Sequence, residues 1–417
     1  MLAVLFALIF CSVSFSQQLG LRESVMYALK NNPEIRAYMA QVRMQAGSAK
    51  LVSSEFFPTL SWEFDYTRSG GSGISPWDLY SYSFVAEWEV FSGFETLNRW
   101  RAERILIEAA KGNLRRVMLD VALDVVRFYS EALAARYRVV AAEHYVKSAE
   151  YSYRLALARY RAGLAPWADV LYARSKLKEA RYKLVDSKRD YGVAKGNLAS
   201  VMGMDPGKVE QVELREVSPV LADFSFRSLE EKAVELSPEI RAEKKRIDAQ
   251  KKKIASVKGE YMPKVSLYGQ WKREDESLFP DDRSLWSLGV RVKLPIFTGF
   301  STLRKIRVER ARLLSFTSDL RKAELEVKRR LWEAYQDYLK AKERLVASKE
   351  YWEASKESYR IMEKKYRVGL ASIVDLASAQ ADVYDAESSY YKSLTDVVFH
   401  YYRLVRAVGR IPVVEGL

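Results

Sequence analysis

The sequence predicts a mainly α-helical fold with a small share of membrane β-structure, assembled from two tandem copies of one unit. Three observations carry that expectation. A set of short motifs occurs twice, offset by about 205 residues. Four segments alternate apolar and polar residues over roughly ten positions each. Long stretches free of proline keep a seven-residue apolar period.

The duplicated motifs run in the same order. Asn32-Pro33-Glu34-Ile35-Arg36-Ala37 returns as Ser237-Pro238-Glu239-Ile240-Arg241-Ala242, and Phe56-Phe57-Pro58 as Tyr261-Met262-Pro263. Val90-Phe91-Ser92-Gly93-Phe94 returns as Ile296-Phe297-Thr298-Gly299-Phe300. Tyr160-Arg161-Ala162-Gly163-Leu164-Ala165 returns as Tyr366-Arg367-Val368-Gly369-Leu370-Ala371, and Val201-Met202-Gly203 as Ala407-Val408-Gly409. Residues 17–204 thus read as the first copy and 227–417 as the second. Residues 205–226, holding Pro206 and Pro219, read as their connector.

Residues 1–16 read as a secretory signal peptide. Met1 to Phe10 is almost wholly apolar, and Ser14-Phe15-Ser16 precedes Gln17 as a small-x-small cleavage site does. No Lys or Arg precedes the apolar run. Cys11, the single cysteine, follows Phe10 rather than a small residue, a poor fit to lipoprotein cleavage. A mature chain from Gln17 has no cysteine, which excludes disulfides and thiolate metal sites.

Each copy opens with an amphipathic helix, about 21–54 and 228–260, interrupted by Pro33 and Pro238. Two strands follow. Leu60, Trp62, Phe64 and Tyr66 alternate with Ser61, Glu63, Asp65 and Thr67; Tyr80, Tyr82, Phe84, Ala86, Trp88 and Val90 alternate with Ser81, Ser83, Glu87 and Glu89. The second copy sets Val265, Leu267 and Trp271 against Ser266, Gln270 and Lys272. Its last strand sets Trp286, Leu288, Val290, Val292 and Leu294 against Ser287, Arg291 and Lys293. Breaker-rich turns are expected over Ser69 to Asp78 and Arg273 to Asp282.

Beyond the strands the breakers stop. No proline lies between Pro76 and Pro166 or between Pro295 and Pro412, so very long helices are expected. One from Phe300 to Val368 would be about 100 Å long. Leu331, Tyr338, Leu345, Trp352, Tyr359 and Tyr366 fall seven apart, followed three residues on by Ala334, Ala341, Ser348, Ser355, Met362 and Gly369. The same rows occur in the first copy and in both returning helices, such as Leu376, Val383, Tyr390, Val397 and Leu404. Large residues facing Ala, Ser and Gly give coiled-coil packing at close approach. Gly163 and Gly369 end one helix. Pro166, or Ser372 with Asp375 three residues later, starts the next.

Four membrane strands cannot close a barrel, and single-chain barrels begin at eight. Several protomers must therefore share one barrel; three would supply twelve strands. The net charge of +14 over 417 residues is spread along helical faces among Glu and Asp and reads as a solvated surface. Export makes a nucleic-acid partner improbable. No later segment has the unbroken apolar length of a transmembrane helix.

These motifs, in this order and spacing twice over, resemble the TolC family of outer-membrane efflux proteins across nearly the whole mature chain. The resemblance implies a homotrimer with a twelve-stranded outer-membrane barrel, its strands facing lipid, on a long periplasmic α-helical barrel whose equator carries the connector. It implies two partners, a periplasmic adaptor (membrane fusion) protein and an inner-membrane transporter, and the role of passive exit duct for efflux or type I secretion. It implies no cofactor.

The resemblance also puts the two repeated turns at the periplasmic mouth. There Asp375, Asp169, Tyr366 and Arg367 are the expected gate, and Gly163, Leu164, Gly369 and Leu370 the expected adaptor contact. The plainer reading of Asp169 and Asp375 is helix capping, and of the glycines a helix C-cap. The sequence departs from some members at Ala371 and Ser378, where they carry arginine and aspartate. A ring of three Asp375 carboxylates on the axis would favour cations and raise its own pKa. Glu87, Glu89, Arg291 and Lys293 are expected to line the barrel lumen, with cross-strand ion pairing as the plainer role. His144 and His400, the only histidines, read as packing residues. With no nucleophile triad, phosphate loop or Cys/His cluster, an enzyme has little support. The competing reading is a periplasmic or surface coiled-coil scaffold.

Overall fold

The structure is a computed structural model that describes residues 19–209, 213–278 and 284–411. The expected signal peptide, residues 1–16, lies outside the described residues. The order of elements runs α1 (Leu21–Asn31), α2 (Pro33–Ser54), β1 (Thr59–Gly71), β2 (Ile74–Phe91), α3 (Glu95–Arg161) and α4 (Trp167–Met202). A short 3-10 turn, Pro206–Val209, leads on to α5 (Phe226–Leu236), α6 (Pro238–Gly259), β3 (Lys264–Asp275), β4 (Ser284–Lys293), α7 (Ser301–Arg367) and α8 (Ile373–Ala407).

The chain divides into two compact units. One comprises the described parts of Met1–Arg36, Arg116–Ser237 and Glu326–Leu417; the other comprises Ala37–Arg115 and Pro238–Leu325. The first holds the two hairpin tips and the connector. The second holds the sheet.

In the first unit the break at Pro33 is built by its neighbour. The Asn32 side-chain oxygen accepts from the backbone N–H of Glu34 at 2.8 Å, capping α2, while its amide donates to the Val201 carbonyl at 2.8 Å. Proline then opens α2, and likewise α6, at the one helical position where its missing N–H costs nothing. The connector is pinned rather than loose. The Tyr129 hydroxyl lies 2.6 Å from the Arg215 carbonyl and 2.9 Å from that of Leu19. The Tyr338 hydroxyl likewise lies 3.0 Å from the Val220 and Ala222 carbonyls and accepts from the Ala222 N–H at 2.9 Å.

Both α3 and α7 run unbroken for 67 residues, as the absence of proline leads one to expect. Leu331, Ala334, Tyr338 and Ala341 are buried, as are Val125, Ala132, Ala142, Ala149 and Ala156, along the expected heptad rows. A second buried row was not foreseen. Tyr137, Ala141, Tyr145 and Ser152 turn α3 toward α8, where Tyr137 stacks on Tyr391 at 4.4 Å and Tyr145 on Tyr384 at 5.3 Å. Two adjacent faces of α3 are thus apolar, one for α4 and one for α8.

In the second unit the four strands form one antiparallel sheet, in the order β1-β2-β3-β4. The first expected turn is corrected. Ser69 to Asp78 is mostly strand: Arg68 pairs with Asp78 and Ser69 with Trp77, and only Ser72 and Gly73 turn. Gly73 supplies the positive φ of 83° that the tight turn needs. Pro76 is tolerated because the pairing slips between Ser69 and Gly71, and because β3 begins to pair only at Tyr80. The second expected turn also starts later, since β3 continues to Asp275. Its residues 279–282 lie outside the described residues.

The strand-to-helix joints are built alike in the two copies. Gly93 and Phe94 both take positive φ, at 65°, and so do Gly299 at 61° and Phe300 at 63°. Each Phe94 or Phe300 ring meets the preceding Phe91 or Phe297 edge-on, at 5.1 and 5.3 Å. A left-handed phenylalanine is uncommon and costs on the order of 1–3 kcal/mol, which the ring contact and the helix start must offset.

Candidate functional site

At the hairpin tips, the helices end as their glycines require. The Leu164 N–H donates to the Arg159 carbonyl at 2.8 Å and the Gly163 N–H to that of Tyr160 at 2.9 Å. The second tip repeats this, with Leu370 to Lys365 at 2.8 Å and Gly369 to Tyr366 at 3.1 Å. These are Schellman closures, with Gly163 at φ 70° and Gly369 at φ 87°. They leave Leu164 68% and Leu370 77% exposed, two large apolar side chains held out by rigid turns. An added Cβ at Gly163 would meet open space.

The restarts differ. α4 begins after Pro166 without a side-chain cap, and Asp169 sits in its first turn. α8 begins with a capping box: the Asp375 N–H donates to the Ser372 hydroxyl at 3.1 Å, and the Asp375 carboxylate accepts from the Ser372 N–H at 3.0 Å and its hydroxyl at 2.7 Å. Those bonds, the hydroxyl first, hold the Asp375 carboxyl below the usual carboxylate range. So in the single chain Asp375 is a capping carboxylate with a lowered pKa; the raised value expected of an axial ring is a property of an assembly.

Tyr366 is the centre of the tips. It is 2% exposed and packs with Ala156, Val170, Ala173, Ile373 and Leu376, residues of all four tip helices. Burial raises its pKa, and the negative charge of Asp169 adds to the effect. Its hydroxyl finds no hydrogen-bond partner among the described residues. Its carbonyl, and its ring at 5.0 Å, are both engaged by the guanidinium of Arg159, which also donates to the Leu164 carbonyl at 3.3 Å. Arg159 was missed in the sequence because it lies just outside the duplicated turn. Arg367, expected at the gate, makes one contact on its own helix and one across to α3. It pairs with Glu363 at 2.8 Å and donates to the Tyr151 hydroxyl at 2.5 Å. Neither Ala371 nor Ser378 supplies a charge; the two hairpins are tied by an arginine from each copy, Arg159 to the Tyr366 carbonyl and Arg367 to the Tyr151 hydroxyl.

The expected lumen residues belong to the second unit and share one face of the sheet. Register puts Glu87 opposite Tyr268 and Glu89 opposite Ser266, and Ser266 opposite Arg291. The Arg291 guanidinium crosses β3 over the Tyr268 ring, 4.9 Å from its centroid, and comes within 3.9 Å of Glu87. Both partners are more than half exposed, so the pair is worth roughly 1 kcal/mol or less. Lys293 stands opposite Lys264, which bonds to Glu95 at 2.6 Å. The other face carries Leu60, Trp62, Trp286, Leu288, Val290 and Val292, all more than half exposed. No helix among the described residues is long and apolar enough to cross a membrane, and none of their His, Cys, Asp and Glu groups could hold a metal ion.

Comparison with known proteins agrees in fold and family. The chain is 22% identical to the outer membrane efflux protein BepC of Brucella suis, over 93% of this chain and 85% of that protein. It is 24% identical to protein CyaE of Bordetella pertussis, over 94% and 84%. Among solved structures it is similar to the outer-membrane channel OprN, with a TM-score of 0.79, 20% identity and coverage of 93% of this chain and 89% of that one. CusC gives a TM-score of 0.81 at 16% identity, covering 95% of each chain. The family model for outer membrane efflux proteins matches residues 25–204 and 229–410, in the two segments that carry the duplicated motifs. The chain therefore belongs to the outer membrane efflux protein family, the TolC-like channels that its motifs resemble.

Proposed function

We propose that the chain is the passive outer-membrane exit duct of a tripartite efflux or type I secretion system. It works as a homotrimer whose three four-stranded sheets join edge to edge in a twelve-stranded barrel. The observation that carries this is the sheet itself. One face is aromatic and aliphatic and lies open; the other is lined with Ser, Glu, Arg and Lys; and β1 and β4 end it as unpaired edges. In lipid such edges cost several kcal/mol per unpaired group, and joining to further copies removes them. A coiled-coil scaffold in water has no use for that apolar face.

In this reading residues 17–204 and 227–417 are two copies of one ancestral unit, and each trimer presents six hairpin tips. The exposed Leu164 and Leu370 on their Schellman turns meet the periplasmic adaptor, which links the duct to an inner-membrane transporter. Asp375, Asp169, Tyr366 and Arg367 surround the closing point. The duct supplies no energy and no catalysis. Relatives carry names from both branches, efflux for BepC and, for AprF of Pseudomonas aeruginosa, alkaline protease secretion.

Detergent extraction of the envelope fraction followed by native mass measurement tests the assembly. A detergent-dependent particle of three times the chain mass supports it. A water-soluble monomer overturns it.

A further inference from the structure

Between α3, α7 and α8, within the first unit, lies a cavity of about 470 Å³, a size typical of small-molecule sites. Its walls are aromatic, with Trp352 and Tyr359 from α7, Tyr384 and Tyr391 from α8, and Tyr145 from α3. One carboxylate inside it is buried. The Glu387 side chain is only 5% exposed, and its carboxylate meets Nδ1 of His144 at 3.1 and 3.4 Å. A buried carboxylate is costly without compensation, and one half-exposed imidazole satisfies only part of its acceptor capacity. The indole N–H of Trp352 is also buried and has no partner among the described residues.

The protein's own lysines show what these rings attract. The Lys356 ammonium sits 4.8 Å from the Trp352 ring centroid. Lys183, from α4, sits 5.3 Å from that of Tyr145 and 5.0 Å from that of Tyr384. Ring faces and a buried carboxylate together describe one kind of guest: a cation for the rings and the carboxylate, and an apolar body for the walls.

We infer that this cavity is a binding site for organic cations, amines or quaternary ammonium compounds with an aromatic or aliphatic body. Glu387 is their counter-ion and Trp352 their principal aromatic wall. Lys356 is a resident competitor, an exposed ammonium on a flexible stem that must leave the Trp352 face for a guest to enter. The site stands whether or not the chain conducts, because binding is read directly.

The test is calorimetric titration of the detergent-solubilised full chain with benzyltrimethylammonium, and with phenylacetate as the ring of opposite charge. Saturable binding of the cation but not of phenylacetate is expected. Glu387→Gln keeps the shape and removes the charge; it should weaken binding about tenfold, the scale of one lost charge-assisted contact. Lys356→Met should strengthen it several-fold, and this exposed position carries little risk to folding. No saturable binding by the unaltered protein overturns the proposal. So does an affinity that neither Glu387→Gln nor Lys356→Met changes, because the cation then sits elsewhere.

Discussion

The guanidinium of Arg159 closes on Tyr366, donating to its carbonyl and covering its ring at 5.0 Å. The bond joins the end of α3 to the end of α7, so one side chain ties the first hairpin tip to the second. Arg159→Met keeps the stem and removes the donors. Planar-bilayer conductance of this variant is expected to rise several-fold over the unaltered protein. Arg161→Met, at an exposed site in the same turn, should leave it unchanged. Equal conductance of the two variants would remove Arg159 from the closed state.

Asp375 separates capping from gating by its charge. Asp375→Asn retains an acceptor for the Ser372 N–H but loses the carboxylate. If three such carboxylates approach the axis, cation selectivity should fall about twofold or more, as expected when a charged ring is neutralised. Unchanged reversal potentials in a salt gradient would leave only the capping role. The pH dependence has a definite sign. Because the folded pKa is lowered, the capping contribution is complete above the ordinary carboxylate pKa and is lost only as pH falls through the lower, folded value. Melting of α8 followed by circular dichroism should therefore be flat from pH 7 down to about 5 with respect to this group.

His400 makes a second pH prediction. Burial lowers its pKa, even though Asp337 and Asp396 pull it upward, while Arg403 and Lys340 add to the lowering. A histidine held neutral by the fold stabilises it fully above its unfolded pKa, near 6.5, and loses that contribution as pH drops through the folded value. Thermal stability should decline as pH falls below about 6.5, and His400→Gln should flatten that decline. An identical decline in the variant would assign the acid sensitivity to other groups.

The two glycines of the joints should tolerate alanine unequally. Both have positive φ, which disfavours any side chain. But a Cβ at Gly93 would stand 2.6 Å from the Gly259 carbonyl and from the Met262 Cβ, whereas one at Gly299 meets nothing within 4 Å. Gly299→Ala should cost on the order of 1 kcal/mol. Gly93→Ala should cost severalfold more, or prevent assembly, in a thermal unfolding series. Equal losses would mean that the close approach relaxes freely.

The connector offers a subtler case. Tyr338→Phe strands the Ala222 N–H and removes the single O–H that the Val220 and Ala222 carbonyls share. About 1–3 kcal/mol should be lost, and hydrogen exchange should rise in residues 220–224 before it rises in α7. Uniform exchange changes would speak against a local anchor.

Much of this fold is legible in the sequence because it is periodic. The heptads, the alternating strands and the paired Gly-Leu turns each repeat a physical rule along the chain. What the sequence hid was placement across chain distance. The Tyr137 and Tyr145 face of α3 reads as surface until α8 packs on it. Arg159 reads as one more helix arginine until Tyr366 is brought beside it from 207 residues away. Glu387 looks like a solvated charge, although its side chain is only 5% exposed in the fold. The Ser69 to Asp78 stretch failed differently: its serines, glycines and proline are turn formers, but one two-residue turn and an unpaired side of β2 suffice to hold them in a strand.

The central claim is a passive duct, and conductance tests it most directly. Purified, detergent-extracted protein added to a planar lipid bilayer should give discrete, ohmic steps without ATP or any other energy source. The steps should grow when Arg159 is replaced by Met. A protein that inserts into the bilayer yet passes no current, with or without Arg159, would contradict the account.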